Sequence, residues 1–190
     1  MTNLPASIES RLCALPEGLR RHIERTRQVG HKLANRHGIN TEKVDLACAV
    51  HDLARSLKSD DFLQAVKGSD LQPHPVELQV PMLLHGSIAA LWLKRENDYD
   101  DSEVLEAITY HTTGRKDMGP VAKIVFLADK LDPWKVERCS ELEEVMLLAQ
   151  QDLDQALLTY LNITLKRLIQ RGDLVHPESI ELRNHLIMNR

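Results

Sequence analysis

Apolar residues recur along most of this chain at intervals of three and four, the spacing that places side chains on one face of an α-helix. Between residues 17 and 37, one such face is formed by His22, Thr26, Val29 and Leu33. Gly38 follows directly, and glycine suits the left-handed conformation in which many helices end. The pattern predicts a helix over 17–37 with a histidine on its buried face.

The same spacing, together with capping residues, predicts the other helices. They are expected after Asn40 or Thr41, from Ser59 to Val66, from Gly86-Ser87 to Glu96, after a cap at 100–102, from Pro120 to Pro133, from Leu142 to a stop at Gly172, and from Glu178 to Asn189. The segment 69–81 contains three prolines and is predicted to be a loop that borders a site. No clear period-two alternation of the kind that indicates strands is found.

Composition supports a helical fold, because the chain has only 8 Gly and 8 Pro and is rich in good helix formers. Its 190 residues are enough for one domain with a substantial core. The prediction is a single all-α domain of eight to ten helices over 1–190. Its core is expected at about 17–135 and its C-terminal helices at about 140–190.

Charge and cysteine usage exclude several classes of partner. The formal net charge is −4, so no overall positive field draws the chain to nucleic acid or to anionic membranes. No apolar run approaches the ~18 residues of a membrane span, and the first residues lack the order of a signal peptide. Cys13, Cys48 and Cys139 show no CxxC spacing, which argues against a thiolate zinc site and for a reducing compartment. The expected location is the cytoplasm.

Polar residues occupy several positions where the helical pattern predicts burial. They are His22, His51, Asp52, His111 and Asp129, with His85 at the start of a helix. Taken singly, a histidine on an apolar face is more often a core residue bonded to a carbonyl oxygen than a ligand. Asp129 is harder to explain in that way, because it lies near the C-terminal end of an almost wholly apolar helix, where the dipole disfavours a carboxylate.

A bound divalent cation would compensate such a carboxylate, and imidazole and carboxylate ligands suit first-row metals such as Zn, Fe and Mn. His51 and Asp52 would point about 100° apart on a helix, so both reach one ion only near a helix end. The polar residues ARSLKSDD that follow agree with an end there. In a two-ion alternative Asp52 bridges the ions, one of which is held by His22, His51 and Asp129 and the other by His85 and His111.

Five segments of the chain carry a resemblance to a known family. They read RHIERT, AVHDLAR, LLHGSIAA, ITYHTTGRKDM and KIVFLADKLDP, and tail segments such as RGDLVHPESI extend the likeness over nearly the whole chain. The chain resembles the HD-domain metal-dependent phosphohydrolases, and within them the YqeK-like branch of symmetrical diadenosine tetraphosphate hydrolases. The dipeptide HD is frequent by chance, whereas YHTTGR followed by an apolar helix that ends in AD is specific.

The resemblance implies an all-helical hydrolase that splits diadenosine tetraphosphate in the middle to give two ADP. One or two divalent ions are implied, with iron as the metal associated with this branch and Mn, Co and Zn as alternatives. The implied ligands are His22, His51, Asp52, His85, His111 and Asp129. The implied phosphate contacts are Arg55, Thr113, Gly114, Arg115 and Lys135. The implied partner is a small nucleotide, and a homodimer is compatible with the resemblance.

The implied catalytic roles fall to three residues. Asp52 or Asp129 would orient or deprotonate the attacking water, and Arg115 would hold a phosphate. Two positions depart from the branch, which usually has lysine at Arg55 and tends to have arginine at Lys135. Because arginine and lysine are not interchangeable where two hydrogen bonds hold one phosphate, the nucleotide preference stays open.

Three other interpretations remain. One is a nucleotidase or phosphomonoesterase with the same metals, against which the segment HTTGRKDM argues. Another is a non-catalytic module that senses nucleotide or metal, against which the complete set of ligands argues. A purely structural bundle leaves the buried Asp129 unexplained. Trp134, which follows Asp129 on the expected rim of the site, is the candidate to stack on an adenine.

Overall fold

A computed structural model describes residues 4–67 and 69–189. Over these residues the chain forms twelve α-helices, one 3-10 helix and no β-strand, so the all-α prediction is confirmed. The helices are α1 Ala6–Ala14, α2 Glu17–His37, α3 Thr41–Val50, α4 Ser59–Val66, α5 Pro75–Gln79, α6 His85–Asn97, α7 Ser102–Tyr110, α8 Pro120–Lys130, α9 Pro133–Val136, α10 Glu141–Ala149, α11 Leu153–Arg171 and α12 Pro177–Met188, with the 3-10 helix at Pro81–Leu84. None of these described helices is long and apolar enough to cross a membrane.

Several helix ends lie where the capping residues predict them. The side chain of Asn40 accepts from the backbone N–H groups of Glu42 and Lys43 and so starts α3. Gly38 and Gly172 end α2 and α11 in the left-handed conformation, with φ of 67° and 72°.

The prediction is wrong in other places. The single helix expected from Leu142 to Gly172 is two helices, because the Asp152 side chain accepts from the backbone N–H groups of Asp154 and Gln155 and starts α11 there. The loop expected at 69–81 contains α5, and α6 begins at His85 itself. The sequence pattern does not predict α1 or α9.

Helix α8 is the centre of the fold. It packs against α2, α3, α7 and α11, and most of its side chains are buried. A helix that is apolar on every side must be surrounded in this way. Helix α6 packs on α7, while α10 and α12 pack on α11, so the C-terminal helices reach the core through α11 and α8.

Two glycines let ligand-bearing helices approach closely. A Cβ atom on Gly30 of α2 would lie 2.8 Å from Cys48 Sγ of α3. A Cβ atom on Gly86 of α6 would lie 2.6 Å from the carbonyl oxygen of Ile108 in α7. At Gly86 a side chain would overlap backbone atoms, and at Gly30 the side chains of Cys48 and Val44 would have to shift. The close pairs α2–α3 and α6–α7 bring together the residues described next.

Candidate metal centre and substrate cavity

The six residues predicted as ligands come together in the structure, and all of them are buried. They lie on α2, at the end of α3, at the start of α6, at the end of α7 and at the end of α8, and they are His22, His51, Asp52, His85, His111 and Asp129. Helix α3 ends at Val50, and turns follow over 51–56. The helix end expected at His51 and Asp52 is therefore present.

Four of the six form one group of donor atoms. His22 Nε2 lies 2.9 Å from Asp129 Oδ1 and 3.5 Å from Asp52 Oδ2. His51 Nε2 lies 3.5 Å from Asp52 Oδ2 and 4.0 Å from Asp129 Oδ1. One ligand atom from each of His22, His51 and Asp129 lies within 4.8 Å of the other two, and His51, Asp52 and His111 form a second such group. Nitrogen and carboxylate oxygen atoms grouped in this way can hold a metal ion.

The other two histidines lie on the opposite side of Asp52. His85 Nε2 is 3.0 Å and His111 Nε2 is 3.6 Å from Asp52 Oδ1, and the two Nε2 atoms are 2.8 Å apart. Asp52 thus directs one oxygen to each group. The arrangement in which Asp52 bridges two ions stays a prediction.

The second ring nitrogen of each histidine determines which nitrogen faces the centre. His51, His85 and His111 each donate from Nδ1 to a backbone carbonyl oxygen three residues earlier, namely those of Cys48, Met82 and Ile108. His22 donates from Nδ1 to Asp132 Oδ2 at 2.7 Å. Because a neutral imidazole carries one proton, all four Nε2 atoms offer a lone pair to the centre, as metal-ligating histidines do.

Three buried atoms of the centre have no hydrogen-bond partner: His22 Nε2, His51 Nε2 and Asp52 Oδ1. The contacts of His22 and His51 with the two carboxylates therefore lack hydrogen-bond geometry, whereas His85 Nε2 and His111 Nε2 lie at hydrogen-bond distance from each other. A buried polar atom without a partner costs about 1–3 kcal/mol, and bound divalent metal would satisfy these atoms. The residues present fit a divalent metal ion.

Ionisation states agree with metal binding. Burial lowers the pKa of His51 to about 3 and also lowers the pKa of His111, so both rings are neutral near pH 7. Burial alone would raise the pKa of Asp52, but His51, His111 and His85 hold it well below its usual value. Metal ligation requires this combination of neutral imidazole and ionised carboxylate.

Asp129 has more positive charge around it than the sequence indicates. Lys130 Nζ lies 2.6 Å from its Oδ2, and Lys135 Nζ lies 2.7 Å from its Oδ1. Burial raises the pKa of Asp129, yet these lysines and His22 hold it well below the usual range. Two lysines therefore contribute to the compensation of this buried carboxylate, in addition to the bound cation that the sequence analysis expects.

Sequence reasoning missed two residues that support the ligands. Asp132 accepts from His22 Nδ1 and is itself held by Arg25, whose Nε and Nη2 donate to its two oxygens at 2.6 and 2.9 Å. Thr112 Oγ1 lies 3.1 Å from His111 Nε2. In the sequence Asp132 only signals a helix cap before a proline, because its partner His22 is 110 residues away.

A basic cavity of about 470 Å³ opens next to His85 and Asp129, between the centre and helices α10 and α11, and is here called the α10–α11 cavity. Its positive side chains are Arg55, Lys130, Lys135, Arg138 and Arg167. Arg55 Nη1 also donates to Asp52 Oδ2 at 2.9 Å. Positive groups around ionised ligands fit a substrate that carries several negative charges.

The turn after His111 carries three of the predicted phosphate contacts, and its arginine lies outside the α10–α11 cavity. Arg115 is half exposed, lies 3.6 Å from Glu106 and over the ring of Tyr110, and does not line the α10–α11 cavity. Gly114 has φ of 68° and packs against Leu182 of α12. The Thr113 hydroxyl donates to the carbonyl oxygen of Gly114. Their assignment as phosphate contacts stays a prediction, whereas Arg55 and Lys135 line the cavity.

A buried set of histidines and aspartates on five helical segments, beside a basic cavity, defines the class of helical metal-dependent phosphohydrolases. The family model described as HD domain matches residues 19–134, and the chain belongs to this family.

Relatives extend the likeness over most of the chain. A symmetrical bis(5'-nucleosyl)-tetraphosphatase of Staphylococcus aureus is 31% identical over 90% of this chain and 88% of its own length. One of Bacillus subtilis is 30% identical over 82% of each chain. The crystal structure of an HD superfamily hydrolase from Clostridium acetobutylicum, described as involved in NAD metabolism, superposes with a TM-score of 0.91 at 30% identity and covers 97% of each chain.

Proposed function

We propose that this protein hydrolyses diadenosine tetraphosphate symmetrically, taking up one water and releasing two ADP. The observation that carries the proposal is the set of four buried histidines around Asp52, each with Nδ1 donating to an oxygen and Nε2 facing the centre, at the edge of a cavity lined by five positive side chains. The names of the relatives from Staphylococcus aureus and Bacillus subtilis support the substrate and the position of the cut.

Iron is the proposed metal, with Mn, Co and Zn as alternatives. The first ion would be held by His22, His51, Asp52 and Asp129, and His85 and His111 would hold a second with Asp52. A divalent ion bound there supplies a Lewis acid for the phosphoryl oxygen and lowers the pKa of a bound water.

The chain's own residues would handle the proton and the phosphates. Asp52 is buried and ionised in the middle of the centre, so it is the aspartate proposed to orient the attacking water or to accept its proton. Asp129 is the less suited of the two aspartates, because both of its oxygens already contact lysines. Arg55 and Lys135 would hold the phosphates, and the contacts of Arg115 with substrate are part of the same proposal.

The proposed location is the cytoplasm, which the unpaired state of Cys13, Cys48 and Cys139 supports.

Metal analysis of the purified protein, followed by product analysis on diadenosine tetraphosphate, tests the function. In isotopically labelled water, one of the two ADP molecules should carry the label on its terminal phosphate. Formation of ATP plus AMP would contradict the symmetrical cut. Inorganic phosphate from mononucleotides, without cleavage of the dinucleotide, would indicate a nucleotidase, and binding of metal and nucleotide without turnover would indicate a sensing module.

A further inference from the structure

A second cavity reaches the metal centre at His22. It has a volume of about 490 Å³, lies beside the first turns of α2 and is here called the α2 cavity. Its wall includes Gly18, Leu19, Arg21 and His22 from α2, together with Trp134. The α2 cavity therefore reaches the centre at His22, whereas the α10–α11 cavity reaches it at His85 and Asp129.

Three residues line both cavities: Arg55, Trp134 and Lys135. Arg55 and Lys135 contact Asp52 and Asp129, respectively, so the boundary between the cavities coincides with the carboxylates of the centre. A chain of phosphates that ran from one cavity to the other would therefore pass these two positive side chains beside the carboxylates.

The α2 cavity has the chemistry of a nucleotide site. Leu19 and the indole of Trp134, which is 53% exposed, offer apolar surface to a base. Arg21 and Arg25 line the same cavity. Arg25 donates to Asp132 from Nε and Nη2, and a guanidinium has further N–H groups that a phosphate oxygen can accept from.

We propose that the α2 cavity binds one nucleotide half of the dinucleotide, while the α10–α11 cavity binds the other. This inference rests on the proposed function and adds to it a second subsite, with Arg21 as a residue that binds substrate phosphate. A symmetrical cut agrees with this arrangement, because two nucleotide sites that meet at the carboxylates of the centre bring the middle phosphates of the chain next to them.

Charge reversal on α2 tests the second subsite. The side chain of Arg21 is 70% exposed and pairs only with Glu17 among the described residues, so Arg21→Glu should not affect folding. Arg20→Glu is the matched control, because this substitution makes the same change of charge one residue away. Arg20 is outside the cavity and donates to the backbone carbonyl oxygen of Cys13. With metal-loaded protein, Arg21→Glu should raise KM for diadenosine tetraphosphate about tenfold, equivalent to 1.4 kcal/mol, and Arg20→Glu should change it less than about twofold.

Filling the cavity gives an independent test. Gly18→Phe adds bulk where a Cβ atom meets nothing within 4 Å, and Gln28→Phe, on an exposed part of the same helix, is the control. Adenosine 5'-tetraphosphate has a single nucleoside, which the α10–α11 cavity would hold, so that only its outer phosphates extend into the α2 cavity. Gly18→Phe should therefore slow cleavage of the dinucleotide much more than cleavage of adenosine tetraphosphate to ADP and pyrophosphate.

Equilibrium binding of ADP to the metal-loaded protein completes the experiment. The wild type should bind two ADP per chain, and Gly18→Phe should bind one. One ADP per chain in the wild type, or equal KM values for Arg21→Glu and Arg20→Glu in an enzyme that cleaves the dinucleotide, would overturn the second subsite. A wild type that binds two ADP without cleaving the dinucleotide would instead contradict the proposed function alone.

Discussion

At the scale of single residues, the hydrogen bond at Nδ1 decides what a histidine can do. In the metal centre Nδ1 donates to an oxygen, and Nε2 is left with a lone pair. His74 and His176 show the opposite case, because their Nδ1 atoms accept from the backbone N–H groups of Val76 and Glu178. Their neutral rings carry the proton on Nε2 and cannot ligate a metal through it. We therefore expect His74 and His176 to be dispensable for metal binding.

Asp132 should affect the metal affinity of the centre through its hydrogen bond with His22. Asp132→Asn weakens the acceptor for His22 Nδ1 and breaks the pair with Arg25, so the affinity for metal should fall about 10- to 100-fold. Competition with a chelating dye measures it. Asp45→Asn is the control, because Asp45 forms the same kind of paired contact with Arg27 away from the centre. An equal loss of metal affinity in both variants would show a general loss of folding instead.

Substitutions of Lys135 and Arg115 compare two of the five predicted phosphate contacts, one inside the cavities and one outside the α10–α11 cavity. Lys135 lies in both cavities, so Lys135→Ala should raise KM for the dinucleotide about tenfold or more, as for the loss of a charged hydrogen bond. Arg115→Ala should have a smaller effect, because its guanidinium lies against Glu106 and Tyr110. Steady-state kinetics compares the two variants, and the metal content of each is measured to check that the centre is intact. A larger effect of Arg115→Ala would show that the turn after His111 reaches the substrate.

At the scale of helices, the centre depends on close packing and on caps. His85 and His111 lie on the helices whose approach Gly86 permits, and a Cβ atom there would also lie 3.1 Å from His111 Nδ1. The start of α12 packs on the turn after His111, where Ser179 donates to the carbonyl oxygen of Thr113.

Gly86→Ala should therefore disturb both stability and the metal centre. The added methyl group overlaps two backbone oxygens of α7, and overpacking of this kind costs about 1–3 kcal/mol. Denaturant unfolding and metal titration measure the two effects. Gly18→Ala serves as the stability control, since its Cβ atom meets nothing within 4 Å. Unchanged metal affinity in Gly86→Ala would show that α6 shifts without moving His111.

The cap of α12 should make stability depend on pH. Partial burial and His74 lower the pKa of His176, although Glu77 and Glu178 oppose this. Because the unfolded chain then binds the proton more readily, the contribution of the cap is complete above about pH 6.5 and is lost as the pH falls below it. Asparagine caps without titrating, so His176→Asn should lose less stability than the wild type between pH 7.5 and 5.5, by less than about 1 kcal/mol. Parallel pH profiles of unfolding would contradict this.

At the scale of the whole molecule, the metal centre connects most of the fold. Its ligands come from the helical core, and the cavity beside it is closed by residues of α10 and α11. If residues 1–190 form one domain, as predicted, metal binding should therefore affect the unfolding of the whole chain.

Metal should stabilise the core and the C-terminal helices together. At a free metal concentration of about 100 times Kd, the free energy of unfolding should rise by about 2.7 kcal/mol. Circular dichroism, which reports all helices, and fluorescence of Trp92 and Trp134 in the core region should show one coincident transition with and without metal. Two separate transitions, of which only one responds to metal, would contradict a single domain.

The local sequence pattern was enough to predict the helical fold and part of the candidate site. The spacing of three and four predicts the helical fold and the burial of His22, His51 and Asp129, and capping residues such as Asn40 predict helix starts. These features depend on residues within one or two turns of each other. They can therefore be read from the sequence without knowledge of how the helices pack.

Only the tertiary structure decided how the buried polar groups pair. The support of His22 by Asp132, the two lysines on Asp129 and the position of Arg115 away from the α10–α11 cavity depend on contacts between separate helices. The existence of two cavities that share Arg55, Trp134 and Lys135 depends on them as well. Such contacts are set by the approach of whole helices, which no local spacing specifies, because side-chain direction within one helix leaves its neighbours undetermined.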